Sequence, residues 1–177
     1  MRTLALILLA VALLSGCSAP DTTLPAEAIT STLTLRWQRL VDASDKTCPR
    51  CASTEQEVTK AFEHLKRSLA PAGIAVALET DRLDEAAFAA APLESNKIWI
   101  NHRPLEDWLG ARTASSPCCD ACGDTACRTV AVGGATYEAI PAGLIIRAGL
   151  IAAADALRTP APISNQGSQQ QGSAPGQ

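Results

Sequence analysis

The sequence predicts a layered α/β domain, and three observations predict it. Short runs with alternating apolar residues recur at 32–41, 74–80 and 97–101. Between the first two lies a long stretch whose apolar residues repeat with helical period. A final apolar helical run, 141–157, is suited to lie on a sheet. Strands that alternate with helices build βαβ units, and the helices then cover a sheet.

Each element can be justified in order. In "TLTLRWQRLV" (32–41), Leu33, Leu35 and Trp37 point one way and Thr34, Arg36 and Gln38 the other, which predicts a half-buried strand. The polar "DASDK" leads to "TCPRC". The following segment places Val58, Ala61, Phe62, Leu65 and Leu69 on one helical face, and Pro71 and Gly73 stop it. "IAVALET" (74–80) is a second strand with Ile74, Val76 and Leu78 in phase. "DEAAFAAA" (84–91) is a short helix before Pro92, and "KIWIN" (97–101) is a third strand. "HRP" turns the chain into "LEDWLG", which suits a strand or a helical turn. A cysteine-rich loop comes next. "RTVAVGGATYEAI" (128–140) then signals a hairpin about Gly133-Gly134. The 141–157 helix opens on proline and is apolar nearly all round, with Arg147 in its middle.

The N-terminus points to a compartment. Arg2 precedes an unbroken apolar run, Leu4 to Leu14. That run is short of the ~20 residues that span a bilayer and suits a secretory signal. "LSGC" follows, ending at Cys17, and resembles the lipobox of bacterial lipoproteins. The resemblance implies a signal peptide over 1–16 and lipid on Cys17 as the first mature residue. It implies attachment to a bacterial membrane through lipid alone, facing the periplasm or exterior. Residues 17–31 read as a tether and 158–177 as a disordered tail rich in Pro, Gln, Gly and Ser. One domain, 32–157, remains between them. A net charge of −3 and 3% aromatic residues exclude a basic, ring-lined nucleic-acid surface.

With Cys17 lipidated, six of the seven cysteines are left in a compartment that permits disulfides. Six can pair in about 15 ways. Cys48-Pro49-Arg50-Cys51 falls between the first strand and the first long helix. Proline suits the first helical turn. Cys48 would then sit at the helix N-terminus, where unbonded N–H groups and the dipole stabilise a thiolate, with Arg50 adding positive charge. Cys51 returns to the same face one turn later, placed to resolve a mixed disulfide on Cys48. Half a zinc site and a static disulfide are the other readings of C-x-x-C.

The second group is Cys118, Cys119, Cys122 and Cys127. Four thiolates can hold Zn²⁺, although adjacent cysteines diverge. Soft thiolates also suit copper(I). Two disulfides would staple a segment with little core of its own. His64 and His102 are lone imidazoles, Trp37, Trp99 and Trp108 read as packing residues, and Glu94, Glu106 and Asp107 read as solvated surface.

The strand, C-P-x-C, helix, crossover and later hairpin resemble the thioredoxin superfamily over 32–157. "TCPRC", "ESNKIWINHRPLEDWLGA", "SSPCC", "CGDTACRTV" and "YEAIP" more specifically resemble the domain-of-unknown-function family numbered 2703, classed as thioredoxin-like. The resemblance implies a central mixed sheet with flanking helices, a cysteine-rich loop insertion, Cys48 as attacking thiol and Cys51 as resolving thiol. It supplies no activity. The superfamily's cis-proline before the third strand falls on Asn96 here. The expected function is thiol–disulfide exchange with protein or small-molecule thiols and disulfides, needing no cofactor. The alternatives are soft-metal binding by the second cysteine group and a non-catalytic adaptor stapled by disulfides.

Overall fold

The computed structural model describes residues 31–118 and 124–158. Strand β1 (Ser31–Leu40) is central to the first sheet and buries Leu33, Leu35 and Trp37, the alternate positions of its sequence pattern. Helix α1 (Pro49–Leu69) carries the chain back, and a 3-10 turn over Ala70–Ala72 ends at Gly73. Gly73 has a φ of 69°, a left-handed conformation that glycine adopts without a Cβ penalty. Strand β2 (Ile74–Leu83) then pairs parallel with β1, Leu35 opposite Leu78. Ile74 is buried, whereas Leu78 is exposed, because β2 is the edge of its sheet.

Helix α2 (Glu85–Ala90) starts at Asp84, whose carboxylate accepts the Ala87 N–H at 2.8 Å. Strands β3 (Lys97–Ile100) and β4 (Arg103–Pro104) form a tight antiparallel hairpin. Its two connecting residues, Asn101 and His102, both have positive φ, 49° and 68°. Two successive left-handed residues are what a type I′ hairpin turn requires. Strand β3 also pairs antiparallel with β1, so the first sheet runs β2-β1-β3-β4 and is mixed.

Helix α3 (Leu105–Leu109) ends at Gly110, with φ 60°. The chain then builds a second, antiparallel sheet from β5 (Arg112–Pro117), β6 (Ala126–Val132) and β7 (Ala135–Tyr137). This corrects two expectations. The Gly133-Gly134 hairpin exists, but it joins β6 to β7 in the separate sheet. The cysteine-rich segment is not a bare loop: Cys118 directly follows β5 and Cys127 lies within β6. Helix α4 (Ala142–Arg158) packs on α1 and α3 and reaches β1 and β3. Ile145, Ala148, Gly149, Ala152 and Ala153 form its buried stripe, and Arg147 is exposed. Among the described residues, no helix is long and apolar enough to cross a membrane.

Candidate functional site

The site begins at the start of α1. Cys48 is the N-cap: its backbone is extended (φ −68°, ψ 158°) and its carbonyl accepts the first helical bond, from the Ala52 N–H at 2.9 Å. Pro49 occupies the first helical turn, where it removes an N–H that has no helical acceptor. In place of the usual oxygen cap, the Cys48 Sγ accepts the Cys51 N–H at 3.5 Å. A sulfur so placed faces the positive end of the helix dipole.

The two thiols are not equivalent. Cys48 is 8% exposed and Cys51 2%. The Cys51 thiol is pushed far above its ordinary range. The largest cause is its hydrogen bond to Cys48, which holds the proton on Cys51; burial is the second, and the charge that Cys48 carries as a thiolate is the third. The pair is thus unequal: the Cys48 sulfur and burial hold the proton on Cys51. Cys48 opens onto a cavity of about 510 Å³ whose lining includes Leu40, Lys46, Thr47, Phe88 and Thr125. Asp42, Glu85 and Lys46 add charged groups of both signs to the lining.

Arg50 makes contacts that its sequence position does not reveal. Its guanidinium donates to the Pro117 carbonyl at 2.8 Å and pairs with Glu138 at 3.2 Å. Glu138 also accepts from the Ser116 hydroxyl at 2.8 Å. The residue between the two cysteines therefore ties α1 to the end of β5. Two further contacts fix α1 against the chain leading into α4: the Ile140 N–H donates to the Thr54 hydroxyl at 3.2 Å and the Ala142 N–H to the Glu57 carboxylate at 2.9 Å.

The second cysteine group divides. Cys118 and Cys127 are joined by a disulfide, with their Cα atoms 5.0 Å apart. The bond lies at the end of the β5–β6 hairpin where the two strands are connected, and the Cys118 N–H donates to the Thr125 carbonyl at 3.0 Å. A four-thiolate zinc or copper(I) site would require this bond to be reduced. Cys17, Cys119 and Cys122 lie outside the described residues. Among the described residues, no three His, Cys, Asp or Glu side chains are placed to hold a metal ion together. Both sulfur pairs meet one core, with Cys48, Cys51 and Cys127 buried in it and Cys118 packed against it.

Other residues depart from the sequence reading. Glu106 is buried, not solvated. Arg128 of β6 donates to one of its oxygens from both Nε, at 3.1 Å, and Nη2. The same guanidinium reaches the Leu93 carbonyl at 2.8 Å and the Thr113 hydroxyl at 2.7 Å. A lone charge inside the otherwise apolar strand pattern "CRTVAV" was the signal for a buried partner. Asn96, at the expected proline position, is buried with φ 55°. It accepts from the Trp37 indole at 3.4 Å and donates to the Glu138 carbonyl at 3.1 Å. His64 and His102 are exposed. Trp99 is covered by Arg36 and Lys97, with centroid distances of 4.1 and 4.9 Å.

Comparison with known proteins agrees with the narrower resemblance. The chain is 42% identical over 113 residues to an uncharacterized protein of the archaeon Archaeoglobus fulgidus, covering 64% of this chain and 82% of that one. No solved structure matches it. Residues 33–149, which contain both the Cys48–Cys51 turn and the Cys118–Cys127 disulfide, match the family model described as Domain of unknown function (DUF2703), and the chain belongs to that family.

Proposed function

We propose that this protein is a thiol–disulfide exchange protein of thioredoxin-like fold, with Cys48 as the attacking thiol and Cys51 as the resolving thiol. The observation that carries the reading is the unequal pair at the start of α1. Cys48 caps the helix with its sulfur, while Cys51 is held protonated behind it. Exchange needs a stabilised thiolate that attacks first and a second thiol that waits its turn. The parallel β1–α1–β2 crossover, the β3–β4 hairpin on the other side of β1 and the long closing helix support the thioredoxin-like assignment. The departure at Asn96 bears on how a substrate docks, not on the cysteine chemistry. The cavity beside Cys48 suits a small or extended thiol or disulfide.

The N-terminal sequence adds a location to this proposal. "LSGC" after a short apolar run supports lipid attachment at Cys17 and an extracytoplasmic position on a bacterial membrane. The site is tested by exchange between the reduced protein and a chromogenic low-mass disulfide. Wild type should reduce one equivalent of the reporter as Cys48 and Cys51 close to a disulfide, Cys48→Ser should lose the reaction, and Cys51→Ser should stop at a mixed disulfide on Cys48. Unchanged exchange in Cys48→Ser would refute the assignment. Detergent partitioning of wild type and Cys17→Ser tests the anchor. If both stay in the aqueous phase, the anchor is absent.

A further inference from the structure

We infer that the Cys118–Cys127 disulfide is a second redox pair that exchanges electrons directly with Cys48 and Cys51. The inference rests on the thiol–disulfide reading of the first pair. Three observations carry it. In the structure the first pair stands as a dithiol and the second as a disulfide, a donor and an acceptor within one molecule. Cys48, Cys51 and Cys127 are buried in the same core, with Cys118 against it. The end of the disulfide hairpin also lies beside the C-P-R-C turn at two places. On one side, Arg50 grips the carbonyl of Pro117, the residue before Cys118, and Pro49, Arg50 and Cys118 line a common cleft. On the other, Thr125, which bonds the Cys118 N–H, lines the cavity onto which Cys48 opens. A disulfide that served only to close the β5–β6 hairpin would not need to lie beside the turn that carries the first pair.

The exchange balances within the protein. The Cys48 thiolate attacks the Cys127 sulfur, a Cys48–Cys127 bond forms, and the Cys118–Cys127 bond breaks. The leaving thiolate is then Cys118, the half-buried and better solvated member of its pair. Cys51 gives up its proton to solvent and attacks Cys48, releasing Cys127 as a thiolate that takes up a proton. Two electrons have moved. Cys48 and Cys51 end as a disulfide, and Cys118 and Cys127 as thiols, with Cys118 closer to the surface than either sulfur of the first pair. No outside oxidant or reductant enters the step. The direction of net flow depends on what reduces or oxidises each pair afterwards.

Cys51→Ser removes the resolving thiol and leaves the intermediate to be trapped. The variant, in a Cys119→Ser/Cys122→Ser background, is prepared with Cys118–Cys127 closed and Cys48 as a thiol. It is then quenched with N-ethylmaleimide and digested with a protease that cuts before Asp120 and Asp124, which separates Cys118 from Cys127. The expected result is a peptide linking Cys48 to Cys127, with maleimide on Cys118, that disappears when the sample is reduced before digestion. A Cys48–Cys118 link supports the exchange with attack on the other sulfur. The same mapping on Cys51→Ser alone serves if the background variant does not fold. Maleimide on Cys48 with the Cys118–Cys127 bond intact overturns the inference. If wild type then still exchanges with the reporter disulfide, the proposed function stands without the relay. If wild type does not, both fall.

Discussion

Replacing Arg128 by methionine should destabilise the domain strongly, although it lies far from the Cys48–Cys51 turn in sequence. Methionine keeps much of the buried aliphatic volume but removes the charge. Arg128 and Glu106 side chains are only 5% and 6% exposed, and Arg128 supplies both hydrogen bonds that one Glu106 oxygen receives. The other Glu106 oxygen has no partner among the described residues, so no second donor compensates. Removing one member of a buried pair leaves an uncompensated charge and costs about 3–5 kcal/mol. For a domain of this size, about 4 °C of melting temperature is lost per kcal/mol, so the melt should fall by about 12–20 °C. The double variant Arg128→Met/Glu106→Leu removes both charges and should recover most of the loss, since an apolar replacement of a buried pair is often neutral or stabilising. Urea unfolding followed by the fluorescence of buried Trp37 gives both values. A single variant within about 1 kcal/mol of wild type, below the range for an orphaned buried charge, would refute the reasoning. So would a double variant no more stable than the single one.

Opening the second sulfur pair with Cys118→Ala/Cys127→Ala should lower stability by about 2.5 kcal/mol, the loop-closure value for a sequence separation of 9; an unchanged urea midpoint would show that the bond does not constrain the unfolded chain. In the reduced protein, Cys48 should be alkylated faster than Cys51 at mildly acidic to neutral pH, because the hydrogen bond to Cys48 and burial raise the Cys51 thiol. Raising the pH should narrow the difference only well above the usual thiol range of about 8.5, and brief iodoacetamide labelling with peptide mapping reads it; equal labelling would remove the nucleophile assignment. Gly149→Ala should destabilise modestly. Its new Cβ would lie 2.6 and 2.8 Å from the two Leu65 methyl carbons. Leu65 is fully buried and cannot swing away, so overpacking of about 1–3 kcal/mol outweighs a helix-propensity gain of about 1 kcal/mol. A thermal melt above wild type would show that the α1–α4 contact has slack.

Much of the first sheet was legible because its signals are local. Leu33, Leu35 and Trp37 alternate along β1, and one sequence run sets both their phase and their burial. The start of α1 was legible for the same reason: Cys48, Pro49 and Cys51 are within four residues, and capping chemistry acts over that distance. The second sheet was not. Its strands β5 and β7 are largely exposed, so they carry no apolar alternation to read. Glu106 and Arg128 are 22 residues apart, and neither side chain's neighbours reveal that the two meet. The contacts of Arg50 were illegible for a related reason. Its place in the motif suggests charge beside Cys48, but its partners, Pro117 and Glu138, come from chain 67 and 88 residues away.

That long reach decides how the two cysteine groups should be understood. A C-x-x-C turn alone needs only its own helix to make its thiols unequal, and here the Cys51 N–H bonds the Cys48 sulfur. The second sheet is held to that helix by Arg50 and to α3 by Arg128. Both guanidiniums are nearly buried, which is costly unless the groups they bind are fixed. Cys127 immediately precedes Arg128, and Cys118 immediately follows Pro117, so each end of the disulfide adjoins one of these anchors. The disulfide is therefore placed by the same contacts that place the sheet. Loosening Arg128 should disturb the position of Cys127 without touching α1. The Arg128→Met variant thus has a second use: its Cys48 should still react with a low-mass disulfide, while the Cys48–Cys127 link in a Cys51→Ser background should weaken. Loss of both together would mean that Arg128 supports the whole domain, and an unchanged link would mean that Arg50 alone holds the disulfide in place.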